Sequence, residues 1–239
     1  MSIENKERMK AAMYEHIKKY PHNILISPSS ASTYFLDPFY WVFKFSRYKH
    51  VSRLLEGKEL VLEIGCGDGL ASPIVASNVE HLICVDFLPE LIDYAKKNIQ
   101  PVHVNAHFFL HDIIKDCAPL SLIKAINDTK LVYDAVFCLD VFEHIKPDEV
   151  TYFLNGILNS IGPNGVAIIG IPSLESQEYA SAMSKIGHVN CMSKKQLFNQ
   201  LKSYFSNVFI FGINDETLHT GYGSMCHYLL ALCTGPVIR

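Results

Sequence analysis

The heptad Glu63-Ile64-Gly65-Cys66-Gly67-Asp68-Gly69 places glycines at alternate positions behind an acidic residue. Glycines in such a run let the backbone turn sharply and come close to a ligand without side-chain obstruction. In a dinucleotide-binding loop the third glycine stands three positions after the second, and the pyrophosphate lies where a nearby carboxylate would repel it. Here the third glycine follows after two positions, and Glu63 precedes the first, a pattern that suits a ligand with cationic groups. Asp86 follows the glycines by roughly twenty positions, where a carboxylate can accept both hydroxyls of a ribose. Asp112 closes a further apolar run, and His144, His188 and His219 are groups that exchange a proton near neutral pH. Such residues could hold a positively charged nucleoside and deprotonate an acceptor beside it.

They must be carried at the ends of strands. Residues 61–64 read as a central strand running into the glycine loop, with a crossover helix over 71–77 and a second strand over 82–86. Asp86 also stands before Pro89, which reads as a helix start, so it can cap that helix as well as bind sugar. A helix over 89–98, a third strand over 107–113 and a fourth over 133–139 follow, while 114–129 fits no clear pattern around Pro119. A helix over 148–160, a turn at 162–165 and a fifth strand over 166–172 complete the alternation, and 205–211 and 227–233 fit two final strands. The order predicts an α/β fold with a parallel sheet and right-handed crossovers. Ahead of it, Ile3, Met9, Met13 and Ile17 predict an amphipathic helix over 2–20 that ends before Pro21 and covers a sheet edge. Residues 33–48, the most aromatic stretch, read as a helix that is either core or lid.

At 239 residues the chain suits one domain, with 1–56 as an N-terminal helical region and 57–239 as the core. A hydrophobic share of 49%, a charged share of 19% and a formal charge of −3 leave no basic footprint for nucleic acid. Seven cysteines without a Cys-x-x-Cys pair argue for reduced thiols and against zinc or a disulfide framework. The polar opening at Met1 to Lys6 lacks the apolar core of a signal peptide, and no apolar run reaches the ~20 residues that span a bilayer. A soluble, cytoplasmic protein with a small-molecule substrate and no membrane partner is expected.

The heptad from Glu63 to Gly69 resembles motif I of the class I S-adenosylmethionine-dependent methyltransferases, whose ligand carries a sulfonium and an ammonium and no phosphate. The resemblance implies S-adenosyl-L-methionine as cofactor, and a Rossmann-like, seven-stranded, mostly parallel sheet flanked by helices, with the last strand antiparallel and an N-terminal helical lid. It implies cofactor contacts from Glu63, Gly65, Cys66 and Gly67, ribose contacts from Asp86 beside Phe87, and adenine contacts from the Asp112 carboxylate and the Ile113 amide. Leu139-Asp140-Val141-Phe142-Glu143-His144 resembles the segment after strand four in small-molecule methyltransferases, including ubiquinone-pathway O-methyltransferases, where it lies beside the sulfonium. Leu139 would then touch the cofactor and Glu143 the acceptor. In the lid, Tyr34 and Tyr40 would meet the acceptor, and Arg47 the carboxylate of the methyl donor.

Methyl transfer to a hydroxyl needs an aligned acceptor and a base. His188, in the insertion after strand five, is the first choice and His144 the second, with His219 on the acceptor side. Residues 170–187 and 214–223, overlapping insertions at about 172–195 and 212–224, are rich in hydrogen-bonding side chains, and their Pro172-Ser173-Leu174-Glu175-Ser176-Gln177 and Asn214-Asp215-Glu216-Thr217-Leu218-His219-Thr220-Gly221 segments resemble a bacterial group associated with surface-polysaccharide and nucleotide-sugar pathways. O-methylation of a sugar derivative is therefore expected. N-methylation of an amino sugar, a nicotinamide-dependent oxidoreductase and a non-catalytic binding module are the competing readings. A metal-dependent variant would need clustered carboxylates; Asp140, Glu143, Asp215 and Glu216 are available, the sequence does not show that they converge, and no obligatory metal is expected.

Overall fold

The computed structural model describes residues 3–19, 26–116, 119–126 and 129–237. Three helices come first: α1 (Ile3–Lys19), α2 (Pro28–Leu36) and α3 (Pro38–Leu54). The aromatic run read as one helix is divided between α2 and α3. Pro38 lacks an N–H and keeps Asp37 extended, and the Asp37 carboxylate then accepts from Phe39 N (3.1 Å) and Tyr40 N (3.4 Å) to start α3. Met9 and Met13 on α1 are exposed, so these positions do not cover the sheet as expected. The expected stop before Pro21 lies outside the described residues.

Then β1 (Leu60–Ile64), α4 (Ser72–Ala76), β2 (His81–Asp86), α5 (Pro89–Asn98), β3 (Ala106–Leu110), β4 (Tyr133–Leu139), α6 (Val150–Ser160) and β5 (Ile161–Pro172) alternate as read. The partner of β4 along β5 jumps from Ile161 to Val166, so the glycine-bounded segment 162–165 is looped out of register. After it come α7 (Ala182–Gly187), α8 (Lys194–Lys202), β6 (Phe205–Ile213), β7 (Leu218–His219) and β8 (Tyr228–Pro236). The described strands form a sheet of order β3-β2-β1-β4-β5-β8-β6-β7, with β8 antiparallel to β5 and β6. The sheet has eight strands rather than seven. The extra one, β7, is a two-residue return of the chain against Gly212 and Ile213 within the expected 212–224 insertion. Side chains alternate across the sheet. Leu60, Leu62 and Ile64 pack with Phe153 and Ile157 of α6, while Val61 packs with Tyr48 and Val51 of α3 and Val75 of α4.

The chain leaves β1 toward β2 on one side and crosses to β4 on the other, so the carboxyl ends of β1 and β4 flank the point where strand order reverses. Open α/β sheets bind ligands at such a crevice.

Candidate active site

The glycine loop closes the top of β1. Gly65 has φ +78°, and a Cβ there would stand 2.3 Å from a methyl of Val141; Gly69 has φ +73° and would strike the Phe108 ring at 2.4 Å. The amides of Gly65 and Cys66 both donate to Val85 O, at 2.8 and 3.1 Å, which folds the loop over β2. Asp86 accepts from Gly67 N at 2.9 Å and from Leu88 N at 3.0 Å, tying the loop to the entrance of α5. Leu88 rather than Asp86 is the N-cap of that helix, since it is the last extended residue before Pro89.

A cavity of about 600 Å³ opens beside this loop, walled by Gly65, Asp86, Phe87, Asp112 and Ile113. Asp140 and His144, after β4, also line it. Its volume lies within the range of ordinary ligand pockets. The Lys115 ammonium, 3.0 Å from the Asp112 carboxylate, holds that carboxyl below its usual range, with help from Ile114 N at 3.1 Å. Gly65, Asp86, Phe87, Asp112 and Ile113 of the sequence-derived set are thus brought to one cavity.

Others face elsewhere. Glu63 is buried on the face of β1 that α3 covers, because it shares the phase of Val61; it accepts from the Tyr48 hydroxyl at 2.7 Å, and burial raises its pKa. It is not among the residues that wall the cavity. Cys66 and Leu139 are buried as well, and burial pushes the Cys66 thiol well up. Gly67 is fixed through its amide to Asp86 and has open space where a Cβ would be. Arg47 Nη1 contacts both Asp140 oxygens at 3.1 Å, and the guanidinium lies 3.8 Å over the Tyr228 ring, so its partner in this structure is Asp140. Tyr40 lies near this pair, and its hydroxyl pKa is raised by burial first and by Asp140 second. Tyr34 is half exposed on α2 with its ring edge-on to Phe35. His219 lies in β7, where Nδ1 accepts from Gly221 N at 3.0 Å. Neither Tyr34 nor His219 is in the cavity wall.

After β4 the chain makes a sharp bend at Asp140, the one non-glycine with positive φ (+58°) among the described residues, and enters a 3-10 turn at Phe142–His144. Strained backbone of this kind is concentrated at functional sites. The insertion after β5 returns to this turn: Val189 N and Asn190 N both donate to Glu143 O at 2.9 Å, and the Asn190 side chain donates to Phe142 O at 3.1 Å. The contacts bring His188 and His144 to a ring separation of 5.2 Å. Burial, and the His144 ring next, lower the His188 pKa, favouring its neutral form. Glu143 is 1% exposed, with its carboxyl pKa raised well above the usual range by burial and then by Asp140.

Sequence reasoning quoted Asp140 without selecting it; an acid directly after a strand that follows the glycine loop was the available signal. Asp68 was equally visible in the heptad. Its carboxylate accepts from the Ser27 hydroxyl and from the Ser30 hydroxyl at 2.5 Å, so the start of α2 is fastened to the glycine loop. No local pattern marks those serines.

Residues 61–165 match a family model described as a methyltransferase domain. Among curated proteins, a ubiquinone biosynthesis O-methyltransferase of Rickettsia canadensis (strain McKiel) is 33% identical over 128 residues, covering 52% of this chain and 45% of that protein. A second of that name, from Rickettsia felis, is 32% identical over 138 residues, covering 56% and 48%. The chain thus spans about half the length of the curated relatives it matches. Of solved structures, the N-methyltransferase NodS of Bradyrhizobium japonicum WM9 in complex with S-adenosyl-L-homocysteine aligns over 81% of this chain and 86% of its own, with a TM-score of 0.57 at 15% identity, a likeness of fold.

Proposed function

We propose, from the premise that residues 61–165 are a methyltransferase domain of the S-adenosylmethionine-dependent class, that this chain transfers a methyl group to a hydroxyl of a small polar metabolite. The observation that carries the reading is the single cavity that joins Gly65, Asp86 and Asp112 to Asp140 and His144. Asp86 would hold the ribose and Asp112 with Ile113 the base. When bound, S-adenosyl-L-methionine supplies a methyl group made electrophilic by its sulfonium. The protein's task is to exclude water, align the acceptor and take its proton. Helices α2 and α3, fastened to the loop through Asp68 and to Asp140 through Arg47, are proposed as the lid, with Tyr40 toward the acceptor.

Proton removal falls to His188, whose neutral form burial favours, or to His144 beside it. Oxygen is favoured over nitrogen because the curated relatives are named O-methyltransferases. A sugar or nucleotide-sugar derivative is the proposed acceptor, in keeping with the serine, glutamine and asparagine side chains of the 172–195 insertion. The six described cysteines are free, which suits a reducing, cytoplasmic setting. No helix among the described residues is long and apolar enough to cross a membrane.

Calorimetric titration with S-adenosylhomocysteine and with NAD tests the cofactor, and a thermal-shift screen of nucleotide sugars in its presence, followed by mass spectrometry of products, tests the acceptor. Binding of NAD alone overturns the proposal. With an acceptor found, His188→Ala or His144→Ala should cut turnover about 10²- to 10⁴-fold; small losses in both point to an amine acceptor.

A further inference from the structure

Glu143, His144 and His188 each offer one ligand atom within 4.8 Å of the other two. Proton removal alone requires no such trio. His144 donates Nδ1–H to Gly187 O, and His188 donates Nδ1–H to Gln177 Oε1, both at 2.8 Å. Each ring is thereby held in one orientation, with the lone pair left on Nε2. Metal-binding histidines are held in this way, because an acceptor at the far nitrogen fixes the tautomer and strengthens the near nitrogen as a ligand. Glu143 is 1% exposed, and its Oε2 has no hydrogen-bond partner among the described residues. A buried carboxylate oxygen without a donor is costly unless a cation satisfies it. The frame is also tight: a Cβ at Gly187 would stand 3.2 Å from the His144 ring, and the Val189 and Asn190 amides lock the two segments together.

We propose that Glu143, His144 and His188 bind one divalent transition-metal ion at the edge of the cavity. Two imidazoles and one carboxylate favour zinc, manganese or iron(II) over magnesium and calcium, which take mainly oxygen ligands. Ligands about 2.1 Å from an ion stand on the order of 3–4 Å from one another, so the trio closes around one with small side-chain rotations. Three protein ligands leave at least one position for water or for an acceptor oxygen. Binding of the ion is independent of the methyl-transfer reading; its chemical use rests on that reading. An acceptor hydroxyl held by the ion gives its proton to solvent, its oxygen pair forms the bond to the methyl carbon, and the carbon–sulfur bond breaks with its pair left on sulfur. The ion then does the work assigned to a histidine base, contrary to the sequence-based expectation of no metal.

The test uses full-length protein stripped with EDTA and dialysed. Cobalt(II) is titrated in and followed by its visible absorption, zinc(II) by calorimetry, and S-adenosylhomocysteine by calorimetry in the same preparation. One equivalent of cobalt per chain is expected, with binding at least about tenfold weaker in Glu143→Gln and His188→Gln, and about 10- to 100-fold weaker in Gln177→Ala, which removes only the orienting acceptor. Melting curves check that each variant folds; should Glu143→Gln fail to, the other two carry the test. Cobalt affinity unchanged in folded His188→Gln and Gln177→Ala overturns the site. Binding of S-adenosylhomocysteine without binding of cobalt or zinc overturns the metal alone, and the converse overturns the methyl-transfer reading alone.

Discussion

A methyl group at Gly65 would meet Val141 at 2.3 Å, whereas one at Gly67 would meet nothing within 4 Å. Both residues have positive φ, so alanine at either costs about 1–2 kcal/mol of backbone strain. At Gly65 overpacking adds about 1–3 kcal/mol. Gly65→Ala should therefore lose roughly 2–5 kcal/mol and Gly67→Ala no more than about 2 in urea denaturation. Equal losses would show that Val141 does not press on the loop. Glu63 allows a second test. Its carboxyl is buried and its pKa raised by that burial, against the opposing hydrogen bond from Tyr48. As pH rises past the ordinary carboxyl pKa of about 4.3, the unfolded chain releases this proton before the folded one does. Its contribution is thus fully present below that pH and is lost as pH rises through the raised folded value. Glu63→Gln has no proton to lose, so the stability of wild type relative to this variant should fall between pH 4.5 and neutrality. A flat or rising difference in denaturant midpoints would show that the carboxylate is satisfied in place.

At the scale of elements, α3 packs Tyr48 and Val51 into the apolar cluster under the sheet, whereas the start of α2 is tied to the core by polar contacts. Ser27 and Ser30 meet Asp68 on the glycine loop, and Arg47 meets Asp140 after β4. Phe35, Leu36 and Phe39 around the α2–α3 junction are exposed, so little apolar burial holds that corner. Segments with few buried contacts open at low free energy. A ligand seated on the loop should hold the start of α2 through Asp68. Cleavage within 26–40 by a limiting protease should slow when S-adenosylhomocysteine is added, and slow less in the Ser27→Ala/Ser30→Ala double variant; protection that is equal in both would remove Asp68 from the coupling. The strands β1, β2 and β4 were legible in the sequence because each is an apolar run ended by an acid or a glycine, as Gly65, Asp86 and Asp140 show. The contacts of the N-terminal helices were not, because Arg47 and Asp140 are 93 positions apart, and an ion pair has no periodicity. The aromatic run hid its own break at Asp37, where cap chemistry outweighed a continuous apolar pattern. Likewise His188 reaches His144 through backbone bonds to Glu143 O that no spacing rule supplies.

For the whole molecule, the two faces of the sheet carry separate apolar clusters, one under α6 and α8 and one under α3, α4 and α5, and the cavity opens between them at the ends of β1 and β4. A ligand there bridges the glycine loop, the loop after β3 and the turn after β4, so its binding free energy adds to the stability of the folded chain as a whole. With S-adenosylhomocysteine at 100 times its dissociation constant, the gain is about 2.7 kcal/mol. For a domain of this size each kcal/mol moves the melting temperature by about 2–4 °C, so a rise of roughly 5–11 °C is expected. NAD should give none, because its pyrophosphate has no glycine-lined helix start of the right spacing to sit on. The formal charge of −3 also predicts no shift with duplex DNA or RNA at physiological salt. Should NAD raise the melting temperature while S-adenosylhomocysteine leaves it still, the acid-led glycine loop would have to be reassigned to a redox nucleotide. The parallel sheet would stand unchanged, since its order rests on the strand pairings and not on the ligand.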